Sequence, residues 1–192
     1  LKEIVLETAR AAGTDWGCVR LFISRGPGDF APSPAGSVGS QLYVVVTTLS
    51  PPSDDALERG CSLGTSGLSM EPGPLADTKF PASLKKVLLA REARDRGVDF
   101  IIARDEEGGL GEGTEESFGI ITAHDEFVVP SLEQGAGGIT VSRVMELASE
   151  LPRTEGLSAI EERRLCKADL TEAKEVLALG TTLDVLPVVE VD

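Results

Sequence analysis

Basic residues are scarce in this chain. Eighteen Lys and Arg stand against 32 Asp and Glu, a formal net charge of −14. A broad cationic surface for phosphate backbones is therefore missing, which argues against nucleic acid as a partner. The acidity itself reads as solubility. No window approaches the about 18 uninterrupted apolar residues that a membrane helix needs. Cysteine is limited to Cys18, Cys61 and Cys166, odd in number and scattered, without metal-ligand spacing. Such thiols suit a reducing compartment and not a disulfide frame. The single histidine, His124, lies between Ala123 and Asp125 in an expected turn, with no nucleophile elbow in the chain. No charged-then-apolar leader is visible. The chain opens at Leu1 inside a helical pattern and stops at Asp192 after an apolar strand, so the expectation is that both ends of the natural protein lie beyond it.

What is present belongs to a folded protein with a core: 41% hydrophobic and 26% charged residues over 192 positions. Helical spacing predicts a helix over 1–12 stopped by Gly13, and β-branched runs predict strands at 19–24 and 42–48. Between those strands, "RGPGDFAPSPAGSVGS" reads as loop. The proline-rich, then acidic "LSPPSDDALERG" is the linker candidate and divides the chain into 1–53 and 54–192. Beyond it, a helix is predicted at 82–96 with Gly97 as its stop, and a buried strand at 98–103. Short strands follow at 118–122 and 127–129, then a helix over 140–151 with Thr140 as N-cap. Strands at 177–179 and 185–191 flank "GTT". Helices and strands mix without strict alternation, so the fold class is α+β.

Four segments of the second part carry candidate chemistry. Lys79 precedes the 82–96 helix beside apolar, stiff Phe80 and Pro81. A lysine held in such a pocket has a lowered pKa and attacks aldehydes, whereas an isolated lysine ahead of a helix is simply solvated. Glu112 leads a glycine turn into a strand, and taken singly is one acid among many. The run "GAGGIT" ends in Gly138, Ile139 and Thr140 at a helix start, where backbone N–H groups and the helix dipole favour an anion. Its plainer reading is that the glycines turn the chain and Thr140 caps. Thr181 and Thr182 offer hydroxyl and amide donors of the kind that hold phosphate.

The order of these segments resembles the class IV aminotransferase family, fold-type IV enzymes dependent on pyridoxal 5′-phosphate. The helix pattern Leu84, Val87, Leu88, Glu92 and Ala93 after the lysine, then "GVDFIIARDEEGGLGEGTEES", "GIT" and "AKEVLALGTTLDVLPV", carry the likeness over roughly the whole chain. It is strongest to plastid D-amino-acid and branched-chain transaminase-like proteins. The resemblance implies a remnant of a small N-terminal α+β domain over 1–53 and a larger cofactor domain over 54–192, pairing as a homodimer at full length. It implies that Lys79 forms the Schiff base and shuttles the proton, and that Glu112 keeps the pyridine nitrogen protonated. Gly138, Ile139, Thr140, Thr181 and Thr182 would cradle the phosphate, and Arg25 in "SRGPGDF" is the one basic candidate for a substrate carboxylate, equally readable as a loop arginine paired with a surface acid. Departures are Ala82 and Ser117 where the family has asparagine, and Ala136 where a bulkier aliphatic is usual. The family's upstream phosphate-binding arginine falls before Leu1. Transamination between a small amino acid and a 2-oxo acid is the implied activity. A lyase of the same fold, acting on aminodeoxychorismate, and a non-catalytic homologue are the alternatives.

Overall fold

The computed structural model describes residues 1–30, 33–69, 84–131, 138–150 and 156–192. They fall into two compact units, Leu1–Pro51 and Pro52–Asp192. In the first, α1 (Lys2–Ala12) stops at Gly13, whose φ of 63° is left-handed and whose N–H closes on the Arg10 carbonyl. β1 (Gly17–Ser24) and β2 (Gln41–Thr48) pair antiparallel, from Gly17↔Thr48 to Ser24↔Gln41. The alternation of β2 places Leu42, Val44 and Val46 on its half-buried side and Tyr43 and Val45 on its exposed one.

The second unit begins with α2 (Asp54–Arg59), inside the segment expected to be linker; the Ser53 hydroxyl accepts from Ala56 N–H and supplies the cap. There follow β3 (Cys61–Ser69), α3 (Leu84–Arg96), β4 (Phe100–Arg104), β5 (Ser117–Ile121) and β6 (Glu126–Pro130). α4 (Ile139–Glu150), β7 (Ala159–Arg163), α5 (Lys167–Glu172), β8 (Glu175–Gly180) and β9 (Asp184–Val191) complete it. One seven-stranded sheet runs β4-β3-β9-β8-β5-β6-β7. β3 is parallel to both β4 and β9, and β6 to β7, while the β9–β8, β8–β5 and β5–β6 pairs are antiparallel.

This sheet cannot be flat. β4 and β5 stand four places apart in its order, about 19 Å across a flat sheet. The chain from Glu112, bonded to Ala103 of β4, reaches Ser117 of β5 in five peptide steps, at most about 18 Å fully stretched. Part of that length is spent in a turn closed by Gly113 N–H on the Glu116 carbonyl at 3.1 Å. The sheet therefore curls on itself, and β4, β5 and β6 are buried on both faces. Inside lie Leu63, Ile102, Phe118, Ile120, Val128 and Ala178. Their strand neighbours point outwards: Ile101 and Ala103 meet Leu89 and Ala93 of α3, and Phe127, Val129 and Leu179 meet Val141 of α4. Period-2 alternation thus sorts each strand between an inner core and a helix-covered outer face.

Two helices cover the outer face. α3 buries Leu89 and Ala93, while Leu84, Val87 and Leu88 stay exposed at 69%, 60% and 39%. Its inner polar edge is a network: Ser66 Oγ donates to Glu92 Oε2 at 2.5 Å, and Arg96 reaches Glu92, the Thr65 carbonyl and Asp192 at 2.7–2.9 Å. In α4, Ile139 is already helical, so Thr140 lies inside the first turn and is not the cap.

Two carboxylates tie connections to this sheet. Asp105 accepts from Glu107 N–H, Gly109 N–H and Arg164 at 2.9, 2.7 and 2.7 Å. Asp169 accepts from Cys166 N–H at 2.7 Å and from Arg163 at 3.1 Å, at the start of α5. Burial pushes both carboxyls up, but backbone N–H donors (Gly109 and Cys166 foremost) and the facing arginines outweigh it and hold both below the ordinary value. A depressed folded-state pKa stabilises above the unfolded value of about 3.9 and stops doing so as pH falls through the folded one. Asp105→Asn and Asp169→Asn are therefore expected to lower the urea midpoint at pH 7 and to converge on the parent protein in acid, once pH has fallen through the depressed folded-state value. Equal losses at both pH values would show that the carboxylate charge is not what holds these turns.

Candidate active site

After β4 the chain turns at Asp105 and runs back alongside it. Asp105 N–H meets the Gly109 carbonyl at 2.8 Å, Arg104 and Leu110 form an antiparallel bridge, and Gly111 N–H reaches Ala103 O at 3.0 Å. Ala103 N–H in turn donates to the Glu112 carbonyl at 3.2 Å. This return arm fixes the Glu112 backbone against β4 and satisfies groups that a bare sheet edge would leave open.

The next four residues fold around a buried acid. Glu116, 3% exposed, accepts from Thr114 N–H at 3.0 Å, Thr114 Oγ1 at 2.8 Å and Glu115 N–H at 2.8 Å. A Cβ on residue 113 would collide with Glu116 Oε1, so the position accepts only glycine without rebuilding the turn. The negative charge of Glu116 also acts on Cys61. Burial first, then Asp99 and Glu116, push that thiol up to about 11, which keeps it protonated and makes it a core residue and not a nucleophile. The Glu112 carboxylate, one-quarter exposed, has one cationic neighbour among the described residues: Lys86 Nζ of α3 lies 3.6 Å from Glu112 Oε2.

Ser117 begins β5 and pairs with Leu179, at the end of β8. A Cβ added to Gly138 would lie 2.9 Å from Ser117 Oγ, so the approach to α4 packs directly on this serine. Val141, in the first turn of α4, shares a buried cluster with Leu179. One residue beyond Leu179 the chain leaves β8 through Gly180, Thr181 and Thr182, a turn closed by Leu183 N–H on Gly180 O at 3.3 Å. The helix start at Gly138, Ile139 and Thr140, the Ser117 hydroxyl and the Thr181–Thr182 turn are thereby gathered at one end of the β5–β8 pair. Backbone donors, a helix dipole and small hydroxyls suit a dianionic phosphate. The carboxylate of Glu112, carried on an anchored backbone five residues before Ser117, suits a protonated ring nitrogen.

Lys79, Ala82 and Ala136 lie outside the described residues. Lys79 belongs to the stretch 70–83 that joins the end of β3 to the start of α3. Arg25 follows β1 and belongs to the Leu1–Pro51 unit, while Glu112, Gly138 and Thr181 belong to the other. At the His124 turn, Ser158 Oγ donates to the His124 backbone carbonyl at 2.6 Å, and Asp125 pairs with Lys174. Sequence reasoning missed the parts played by Glu116 and Lys86. The spacing of Glu116 from Gly113 was the only available signal for the first; for the second there was none, because it depends on which face of α3 meets the sheet.

Amino-transferase class IV is the family that matches this chain, over residues 1–191. The chloroplastic D-amino-acid transaminase of Arabidopsis thaliana is 26% identical over all of the chain and 51% of its own length. The branched-chain-amino-acid aminotransferase of Pseudomonas aeruginosa is 27% identical over 72% of the chain and 44% of its own length. Among solved structures, the branched-chain amino acid aminotransferase of Escherichia coli superposes with a TM-score of 0.85 at 24% identity, covering 99% of this chain and 61% of that one. The chain thus spans about half the length of these curated relatives, and the likeness to the solved structure establishes the fold-type IV architecture. Among the described residues no helix is long and apolar enough to cross a membrane. With the match running almost from end to end and the shared fold beneath it, this chain belongs to the class IV aminotransferases.

Proposed function

We propose that this chain carries the cofactor-binding core of a pyridoxal-phosphate-dependent transaminase, which moves an amino group between a small α-amino acid, branched-chain or D-, and a 2-oxo acid. The observation that carries this reading is the pairing of two recognition elements in one loop system. The helix start at Gly138, with Ser117 and the Thr181–Thr182 turn, offers donors for a phosphate, and the return arm offers the Glu112 carboxylate on an anchored backbone. These residues fit a group that is dianionic at one end and basic at the other.

When bound, pyridoxal phosphate supplies an electron sink for the charge left at the substrate Cα after its proton departs. The protein does the rest. Glu112 would hold a proton on the ring nitrogen, Thr140, Thr181 and Thr182 would hold the phosphate, and Lys79 would hold the aldehyde end and move the proton at Cα through its Nζ. The three free thiols support a reducing compartment, cytoplasm or plastid, and a homodimer at full length remains part of the proposal.

The test is an absorbance spectrum of the full-length protein with pyridoxal phosphate, before and after borohydride, followed by peptide mapping. A band at about 410–430 nm, trapped by borohydride on the Lys79 peptide, is the expected result. A full-length protein that develops no band would sink the reading and leave a non-catalytic homologue. Pyruvate release from aminodeoxychorismate without an amino acceptor would instead identify a lyase.

A further inference from the structure

Lys86 is a feature of this site that transamination does not require. It occupies the first turn of α3, three and seven residues before Leu89 and Ala93, so it shares the face that α3 turns to the sheet. That placement leaves its side chain only 33% exposed and sets its Nζ 3.6 Å from Glu112 Oε2. The pair contributes little to holding the loop. The arm is already fixed by Gly111 N–H on Ala103 O and Ala103 N–H on Glu112 O, and the turn after it by the three donors to Glu116. A partly solvated ion pair adds little to such a backbone frame. Its effect falls on the charge that Glu112 presents to a ligand.

This step rests on the transaminase reading, in which Glu112 faces a protonated ring nitrogen. One carboxylate then has two cations beside it, the Lys86 ammonium and the ring N–H, and the like charges repel each other. We propose that Lys86 is a positioning residue that acts through Glu112 as an electrostatic counterweight, so that the site holds the protonated ring more loosely than Glu112 alone would. The ammonium keeps the carboxylate partnered before the cofactor arrives and competes with the ring once it is there.

Pyridoxamine 5′-phosphate is the appropriate probe, because it carries the same ring and phosphate but forms no bond to Lys79. Its Kd is measured by fluorescence titration on the full-length protein at low ionic strength, with circular dichroism to confirm that each variant is folded. Lys86→Met is expected to tighten binding about 3–10-fold, and Lys86→Gln to do the same. Lys86→Arg keeps the charge and is expected to stay within about twofold of the parent protein. In a Glu112→Gln background the ring nitrogen loses the carboxylate that keeps it protonated, so Lys86→Met has no facing charge to relieve and is expected to change Kd by less than about twofold. A purely structural lysine cannot tighten binding when removed. Weaker or unchanged binding in Lys86→Met, or tightening that persists without Glu112, overturns the inference alone; weakening in both backgrounds would place Lys86 on the phosphate. No binding by the parent protein overturns the transaminase reading, and this inference with it.

Discussion

Lys79→Ala in the full-length protein is expected to lower the turnover of amino transfer by about 10³–10⁴-fold, while binding of pyridoxamine 5′-phosphate changes little. The proposed reading gives this amine two tasks: it attacks the cofactor aldehyde, and it carries the proton to and from Cα. Removing a general base alone costs about 10²–10⁴-fold. On that reading the ring and phosphate contacts belong to Glu112 and to the donors around Gly138 and Thr181, which the substitution leaves in place, so loss of turnover should separate from loss of affinity.

Two neighbouring amines set the control. Lys85 is exposed, and Lys86 is engaged with Glu112, at the opposite end of the ring from the aldehyde in the proposed arrangement. On that arrangement neither replaces Lys79, so borohydride labelling should disappear and not move to α3. Partial recovery of turnover by a small added primary amine would show that the missing function is the amine itself. Activity within about tenfold of the parent protein would remove Lys79 from the chemistry altogether.

The parts of this fold that were legible in the sequence are those in which local pattern and tertiary environment agree. β2 alternates because one face meets α1 and the other meets water, and α1 ends where Gly13 permits a left-handed turn. β3 gave no such signal. Its residues Gly64, Thr65 and Ser66 are buried between β4 and β9, so the strand has no solvent face to impose alternation and small residues suffice where Arg96 approaches Gly64. β7 and the short α5 were also passed over: β7 is an edge strand with exposed Glu161 and Glu162, and α5 has only six residues.

The site divides in the same way. Glu112, Gly138, Thr140 and Thr181 stood out because each sits beside a glycine or at an element boundary. What holds them could not be read locally. The Glu116 carboxylate turns inwards on Thr114 and Glu115 only because the return arm has closed on β4, and Lys86 meets Glu112 only because α3 lies on Leu89 and Ala93. The apolar residues that first marked that helix, Leu84, Val87 and Leu88, point away from the core. Glu92 and Arg96, taken up by Ser66, Thr65 and Asp192, occupy its inner edge instead.

Phe118→Ala is expected to destabilise the protein by about 3–5 kcal/mol, read as a large drop in urea midpoint for the transition that unfolds the sheet. Phe118 is 1% exposed and lies on the inner face of the curled sheet, opposite Ala178 on β8. This large-against-small pairing leaves no bulky side chain across the strand to collapse into the void. Leu63, Ile102 and Val128 come from β3, β4 and β6, and each is held by its own ladder. The cavity therefore stays largely open, and the lost transfer energy and the lost contacts both count. Trp16→Ala provides the contrast. Trp16 is 63% exposed, and its removal is expected to change the midpoint by less than about 0.5 kcal/mol equivalent. The same substitution at Phe118 also reaches the site, because the preceding residue, Ser117, supports Gly138 and pairs with Leu179. Affinity for pyridoxamine 5′-phosphate should fall along with stability. A loss below about 1.5 kcal/mol would mean that β5 repacks freely, and would remove the closed inner core as the platform on which the phosphate donors are assembled.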